Sequence, residues 1–241
     1  MDGVPALGVS SWSLRSSVSA DPQCERVTEG PWAEPVAALT SLSFVVCALI
    51  IVLDARKAGS VGRILSFALL VAGVGIGSFI EHGPDPGWSD VAHDLPLLAT
   101  LTFLGTDAVA DLTGRTRAWW WWAVPTISLL PLVVLAPRPG DLAQGAIAGA
   151  AVLLTVVRAR AFPELRRRTA QALGLLAAGA VAGTMSRAGW PWCDPSSPWQ
   201  GHGVWHVLAA VALVLLAPTV GHAGRATASA ADPTPETPDA R

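Results

Sequence analysis

The sequence predicts an all-α integral membrane protein that forms a bundle of seven transmembrane helices. Hydrophobic residues occupy 51% of the 241 positions and charged residues only 14%, whereas soluble domains carry about 25% charged residues. The mean hydropathy is +0.46. Mostly apolar stretches of about 20 residues, the length that a helix needs to cross a bilayer, recur along the chain.

Seven stretches meet this length requirement. We expect the spans near Pro35–Leu53, Arg63–His82, Val91–Ala110, Ala118–Ala136, Leu142–Val157, Thr169–Arg187 and His202–Val220. The fifth and sixth spans are rich in Ala and Gly, which close-packed membrane helices use at their contacts.

Basic residues lie mainly in the first, third and fifth connections between these spans. They are Arg56, Lys57 and Arg63, then Arg115 and Arg117, and then Arg158, Arg160, Arg166, Arg167 and Arg168. By the positive-inside rule these connections are cytoplasmic, which places the N-terminus outside and the C-terminus in the cytoplasm. Residues 1–34 are then an extracytoplasmic segment, 35–221 the membrane domain and 222–241 a disordered cytoplasmic tail.

Composition also excludes two classes of protein. The 16 basic and 18 acidic residues give a formal net charge of −2, so no electrostatic attraction to nucleic acid is expected. A retinal pigment needs a lysine inside the membrane, and the only lysine, Lys57, lies in a polar connection. The high Ala, Gly, Pro and Arg content and the compact loops indicate a bacterial protein, so we expect these spans to lie in a bacterial plasma membrane.

Ionisable residues near a bilayer are costly and therefore informative. His82 ends the second span, Asp94 begins the third, and His202 and His206 begin the seventh. Because successive spans alternate in direction, these side chains reach the same external depth. His202 and His206 are four residues apart and share a helix face.

Three neutral imidazoles with a nearby carboxylate match a catalytic zinc site with an open coordination position. The alternative is that each histidine sits at the membrane interface, hydrogen-bonded to backbone or headgroups. His93 is expected to point elsewhere, as an interfacial residue.

Several short motifs occur in a fixed order along the chain. They are Cys24-Glu25, Ala33-Glu34-Pro35, Ser41-Leu-Ser-Phe44, Gly75-Ile-Gly77-Ser78 followed by His82, Asp94-Leu95-Pro96 and Gly201-His202-Gly-Val-Trp205-His206. Between Asp21 and Val220 the sequence thereby resembles the alkaline ceramidases, which belong to a superfamily of seven-span hydrolases that includes the progestin and adipoQ receptors. The resemblance implies a zinc amidase that cleaves the N-acyl bond of ceramide into a sphingoid base and a fatty acid.

The same resemblance implies a role for each site residue. His82, His202 and His206 would bind zinc. Asp94 would hold the attacking water and act as general base, then as proton donor to the leaving amine. Ser78 would stabilise the carbonyl oxygen as it becomes anionic.

The chain also departs from the family. Glu81 stands where an aromatic residue usually precedes the second-span histidine. Only Glu25 and Glu34 match the acidic segment that holds calcium in eukaryotic members, and Val27 occupies a position where an amide ligand is expected, so the match to a calcium site is incomplete.

Cysteine positions predict a disulfide. Cys47 lies inside the first span, whereas Cys24 and Cys193 both fall on the external side, which is an oxidising compartment for a plasma membrane protein. The family resemblance points to the same pairing of Cys24 with Cys193.

Three functions remain open at this stage. The first is a zinc hydrolase acting on ceramide or another N-acyl lipid, since many bacteria make no sphingolipids. The second is a non-catalytic receptor or lipid-binding protein with a structural zinc. The third is a proton or ion pathway, for which the ionisable residues are poorly distributed, since most of them lie at one end of the bundle.

Overall fold

The computed structural model describes residues 23–25 and 31–222 of the chain, and these residues form seven α-helices and no β-strand. The helices are α1 (Pro35–Lys57), α2 (Val61–His82), α3 (Ser89–Thr113), α4 (Trp120–Leu135), α5 (Pro137–Ala161), α6 (Arg166–Met185) and α7 (Gly201–Leu216). Most of the predicted segment 1–34 and all of the predicted tail except His222 lie outside the described residues.

Seven helices therefore occur where the sequence predicts seven spans. Five of them, α1, α2, α3, α5 and α7, are long and apolar enough to cross a membrane. Helix α4 is apolar but has only 16 residues. Helix α6 does not qualify, because it begins with three consecutive arginines and continues mainly with Ala and Gly, which are less hydrophobic than Leu or Val.

The outer surface of the bundle carries large apolar side chains, as expected for helices that face lipid. Leu49 on α1, Leu69 on α2 and Ile127 on α4 are each more than half exposed. Exposed tryptophans lie near both ends of the helices, including Trp88 before α3 and Trp119 before α4. This distribution agrees with a multi-pass membrane protein, since tryptophan is enriched at membrane–water interfaces.

The helices pack as a ring in chain order, except at α4. Neighbouring pairs are α1–α2, α2–α3, α3–α5, α5–α6, α6–α7 and α7–α1, and α4 packs outside against α3 and α5. Arg158 in the last turn of α5 bonds to Asp107 in α3 and Thr219 just after α7. Helices α3, α5 and α7 therefore end together, and α2, α4 and α6 run in the opposite direction.

The disulfide predicted from the sequence is confirmed, because Cys24 and Cys193 are bonded in the structure. It joins the segment before α1 to the connection between α6 and α7. Next to it, Gln23 forms an isolated backbone bridge with Arg187. Residues 23–25 are thus fixed across the end of the bundle at which α1, α3 and α7 begin.

Close contact between α2 and α3 depends on a glycine. A Cβ atom at Gly77 would overlap the backbone carbonyl of Ala92 and lie 2.9 Å from the Cα of His93. Backbone atoms cannot give way as a flexible side chain can. Gly77 therefore fixes how closely the last turns of α2 approach the first turn of α3.

Substituting Gly77→Ala should destabilise the protein by about 1–3 kcal/mol, the usual cost of forcing extra atoms into a packed site. Thermal unfolding of purified protein in detergent measures the effect. Gly62→Ala is the matched control, since it lies in the same helix with no atom within 4 Å of the new Cβ. Equal melting temperatures for the two variants would contradict this account of the contact.

Candidate metal centre

Three histidines converge at the end of the bundle where α2 finishes and α7 starts. His82 is the last residue of α2, and His202 and His206 occupy the first two turns of α7. One ring nitrogen from each lies within 4.8 Å of the others, an arrangement that could hold a metal ion. The Nε2 atoms of His82 and His202 are 3.1 Å apart. We call this group the histidine triad.

Glycines place the start of α7 between α6 and α1. A Cβ atom at Gly201 would overlap the hydroxyl of Ser186 at the end of α6, and one at Gly203 would lie 3.0 Å from the Thr40 hydroxyl in α1. Both neighbouring helices can therefore approach the α7 backbone closely. This packing carries His206 inward, where it is 3% exposed.

The ring of His82 is oriented by a carboxylate. Its Nδ1 atom lies 2.5 Å from Oε2 of Glu34, the residue just before α1. An ionised carboxylate only accepts hydrogen bonds, so Nδ1 carries the proton and donates it. The Nε2 atom is then left with a lone pair that faces His202. Carboxylate–histidine pairs of this kind are the common outer shell of metal-binding histidines.

The ring of His206 is oriented by α1. Its Nδ1 atom lies 3.2 Å from the Ala37 carbonyl and 3.2 Å from the Thr40 hydroxyl oxygen. The carbonyl is only an acceptor, and the Thr40 hydroxyl already donates to the Val36 carbonyl. Nδ1 must therefore be the donor, which leaves a lone pair on Nε2 of this ring as well.

The donor set fits zinc. His82 and His206 each hold their proton on Nδ1 and present an Nε2 lone pair. Lone pairs that face one another repel unless a proton or a cation lies between them. Zinc takes imidazole nitrogens at roughly 2.0–2.1 Å in tetrahedral geometry, which separates the ligands by about 3.3 Å. The 3.1 Å between His82 Nε2 and His202 Nε2 is close to that separation. Three protein ligands also leave a position open, as in catalytic zinc sites.

Ser78 lies one turn before His82 and faces the triad. Its buried hydroxyl is 3.4 Å from His206 Nε2 and 2.8 Å from the Ser41 hydroxyl. Ser41 itself donates to the Ala37 carbonyl. The Ser78 hydroxyl therefore donates to Ser41, and its oxygen lone pairs are available on the side of the triad.

The structure places Asp94 in the first turns of α3, with its carboxylate bonded to His93. His93 Nδ1 is 3.0 Å from Asp94 Oδ1 and 3.1 Å from Glu81 Oε2. Among the described residues, His93 is not part of the histidine triad, in line with the expectation that it points elsewhere, and two carboxylates lie beside its ring.

The two glutamates of the predicted calcium segment bind different partners. Glu25 accepts hydrogen bonds from the backbone N–H groups of Val36 and Ala37, at 2.6 and 2.9 Å, and so caps the N-terminus of α1. Glu34 binds His82. Calcium binding by this pair stays a prediction.

Sequence reasoning missed the oxygen atoms of α1 that surround His206. Ala37, Thr40 and Ser41 stand at the spacing of one helix face. Because α1 is otherwise strongly apolar, the adjacent hydroxyl residues Thr40 and Ser41 are the sequence feature that could have indicated a polar contact on this face. Glu34 had a similar signal, since it is an acidic residue directly before an apolar helix.

Glu34→Ala should weaken metal binding at the histidine triad about 10- to 100-fold, the usual cost of removing an outer-shell partner of a metal ligand. Competition against a chromogenic zinc chelator measures the affinity. Glu25→Ala is the control, because Glu25 also acts at the start of α1 but bonds to backbone rather than to a histidine. An unchanged zinc affinity in Glu34→Ala would show that the carboxylate does not support the ligand.

No protein-family model matches the sequence, and comparison with curated proteins yields no significant match. The histidine triad and the groups around it are therefore the basis for assigning a function.

Proposed function

We propose that this chain is a zinc-dependent integral membrane amidase that hydrolyses the N-acyl bond of a lipid, with ceramide as the nominal substrate. The observation that carries the proposal is the histidine triad, whose ligand nitrogens lie within 4.8 Å of one another and in which the partners of His82 and His206 assign the proton of each ring to Nδ1. Its position near one end of apolar helices suits a substrate whose amide lies at the membrane interface.

The proposal includes seven membrane spans, with the N-terminus outside and the C-terminus in the cytoplasm. At 1.5 Å per residue, α4 is about 24 Å long and α6 about 30 Å, close to the thickness of a hydrocarbon core. Both run between the same two ends as their neighbours. The triad then lies toward the external side, and the arginine-rich connection between α5 and α6 lies inside.

Bound by His82, His202 and His206, zinc would supply Lewis-acid polarisation of the amide carbonyl and a hydroxide nucleophile at neutral pH. The protein fixes the ligands before the ion binds. Glu34 sets the tautomer of His82, and the α1 oxygens set that of His206. This preorganisation avoids reorientation of polar groups during the reaction.

In this mechanism Ser78 interacts with the substrate carbonyl oxygen. Its hydroxyl faces the triad at 3.4 Å from His206 Nε2. To donate to an oxygen that becomes negative, it must exchange its bond to Ser41 for one to the substrate. Such a donor stabilises the tetrahedral intermediate of acyl transfer.

Asp94 serves as the proton-transfer group. Its carboxylate accepts a proton as water attacks the carbonyl carbon, and gives that proton to the leaving nitrogen as the C–N bond breaks. The products are a fatty acid and an amine. Gly77 keeps the start of α3, which carries Asp94, against the last turns of α2.

The test is turnover by the purified, zinc-loaded protein in proteoliposomes. Ceramides and a panel of other N-acyl lipids are supplied, and mass spectrometry quantifies the free fatty acid and amine. We expect equimolar release of the two products, loss of activity after chelation and recovery with added zinc.

Absence of turnover on every N-acyl lipid, in protein that retains zinc, would contradict the proposal. Saturable lipid binding under those conditions would instead support a receptor or lipid-binding protein with a structural zinc.

A further inference from the structure

A second group of ionisable side chains lies beside the histidine triad, and two of its members, Glu81 and His93, have no role in the mechanism above. It consists of Glu81 in the last turn of α2 and His93 in the first turns of α3, together with Asp94. Their side chains are 29%, 23% and 21% exposed, respectively. One imidazole nitrogen, Nδ1 of His93, is within 3.1 Å of an oxygen from each carboxylate.

The contact between α2 and α3 holds Glu81, His93 and Asp94 together. On α2, Gly77 and Glu81 are four residues apart and share the face that meets α3. Ser78 and His82 share the neighbouring face and belong to the metal centre. Since the α3 backbone at Ala92 and His93 packs directly on Gly77, His93 is fixed between Glu81 and Asp94.

The two carboxylates cannot share this position without a donor between them. Like charges at short range repel, whereas the Nδ1–H group of His93, which donates to Asp94 and lies 3.1 Å from Glu81 Oε2, places a positive partial charge between them. Asp94 and His93 are adjacent on a helix, where neighbouring side chains diverge, so the direction of the Asp94 carboxylate depends on this hydrogen bond. A bond to Oδ1 leaves Oδ2 available to a reactant.

We propose that His93 is a positioning residue for Asp94 and that Glu81 acts through His93. The Nδ1–H group fixes the Asp94 carboxylate, and the Glu81 carboxylate fixes the His93 ring. This inference rests on the proposed amidase function, in which Asp94 transfers the proton. It also accounts for an acidic residue directly beside the metal ligand His82.

The test compares His93→Leu with His93→Asn in the full-length, zinc-loaded protein. The Asn side chain places an N–H donor near the position of Nδ1, whereas Leu offers none. We expect His93→Leu to lower kcat about 10- to 100-fold, because misplacing a proton-transfer group loses much of its 10²- to 10⁴-fold contribution. KM and zinc content should not change, and His93→Asn should recover activity to within about threefold.

Glu81→Leu tests the second half of the proposal. If Glu81 acts only through His93, the double variant Glu81→Leu/His93→Leu should be no slower than His93→Leu alone. His222→Leu is the control for loss of an imidazole, because His222 bonds to Glu164 at the other end of the bundle. It should keep wild-type kcat.

An infrared measurement reads the hydrogen bond without relying on activity. The Asp94 carboxylate band, identified by subtracting the spectrum of Asp94→Asn, should shift in His93→Leu and stay in place in His93→Asn. If the wild type shows no turnover but these shifts occur, the amidase function is wrong and the positioning contact is right. Wild-type kcat and an unshifted band in His93→Leu, or a loss of zinc from that variant, would overturn the inference.

Discussion

Replacing either histidine of α7 with alanine should abolish zinc binding and hydrolysis together. His202 and His206 supply two of the three nitrogens of the triad, on one face of a single helix. Loss of an outer-shell partner already costs about 10- to 100-fold in metal affinity, so loss of a ligand should cost more. Elemental analysis after desalting should find less than about one tenth of the wild-type zinc, and product release should fall to the level without enzyme.

His222→Ala is the matched control for these variants. It removes an imidazole that bonds to Glu164 and contacts the Phe162 ring, remote from the triad. Zinc content and turnover should both stay at wild-type values. A His206→Ala protein that kept full activity after losing its metal would refute the zinc mechanism.

The second large effect is expected at the opposite end of the bundle, where a buried ion network joins α3, α5 and the turn after α7. Arg158 is 0% exposed, and its guanidinium bonds to Asp107 at 3.1 Å, Asp111 at 3.3 Å and Thr219 at 2.8 Å. Arg117 also bonds to Asp107, at 3.1 Å. Two acidic and two basic groups therefore balance within the network.

Arg158→Ala should destabilise the protein by about 3–5 kcal/mol, because it leaves buried carboxylates without their central partner. Unfolding in detergent, followed by circular dichroism against temperature, measures the loss. Arg158→Lys should fall between the wild type and Arg158→Ala, since an ammonium keeps the charge but lacks the planar fork that reaches several acceptors.

Arg160→Ala is the control, since its side chain is exposed in the same helix turn. It should change stability by less than about 0.5 kcal/mol, as is usual for surface substitutions. Equal melting temperatures for Arg158→Ala and Arg160→Ala would show that the network does not hold the three helix ends together.

The convergence of the histidine triad could be predicted from the sequence for two physical reasons. His202 and His206 are four residues apart, which fixes them to one helix face. The alternating direction of membrane helices then brings the end of α2 and the start of α7 to one depth. The disulfide could be predicted in the same way, because the alternating direction of the spans puts Cys24 and Cys193 on the external side of the membrane.

The surroundings of the triad could not be predicted in the same way. Sequence spacing gives the face of a helix but not which neighbouring helix that face meets. Contacts such as Glu34 with His82, or Thr40 with His206, join residues far apart in the chain. The pairing of His93 with Glu81 was not predicted for this reason, because Glu81 belongs to another helix.

Arg158 illustrates a second limit. Arg158 was expected among the basic residues of the fifth connection, but it lies inside α5 and is buried. A positive-inside count treats arginines near the end of a span alike. Only the tertiary packing of Asp107 and Asp111 against α5 distinguishes Arg158 from its exposed neighbour Arg160.

The central claim is that the imidazoles of His82, His202 and His206 bind one zinc ion. X-ray absorption at the zinc edge of the purified wild-type protein tests it most directly. The account predicts one zinc per chain, with three imidazole nitrogens at about 2.0–2.1 Å and an oxygen completing the shell. A protein that binds no zinc after reconstitution, or a spectrum without imidazole scattering, would contradict it.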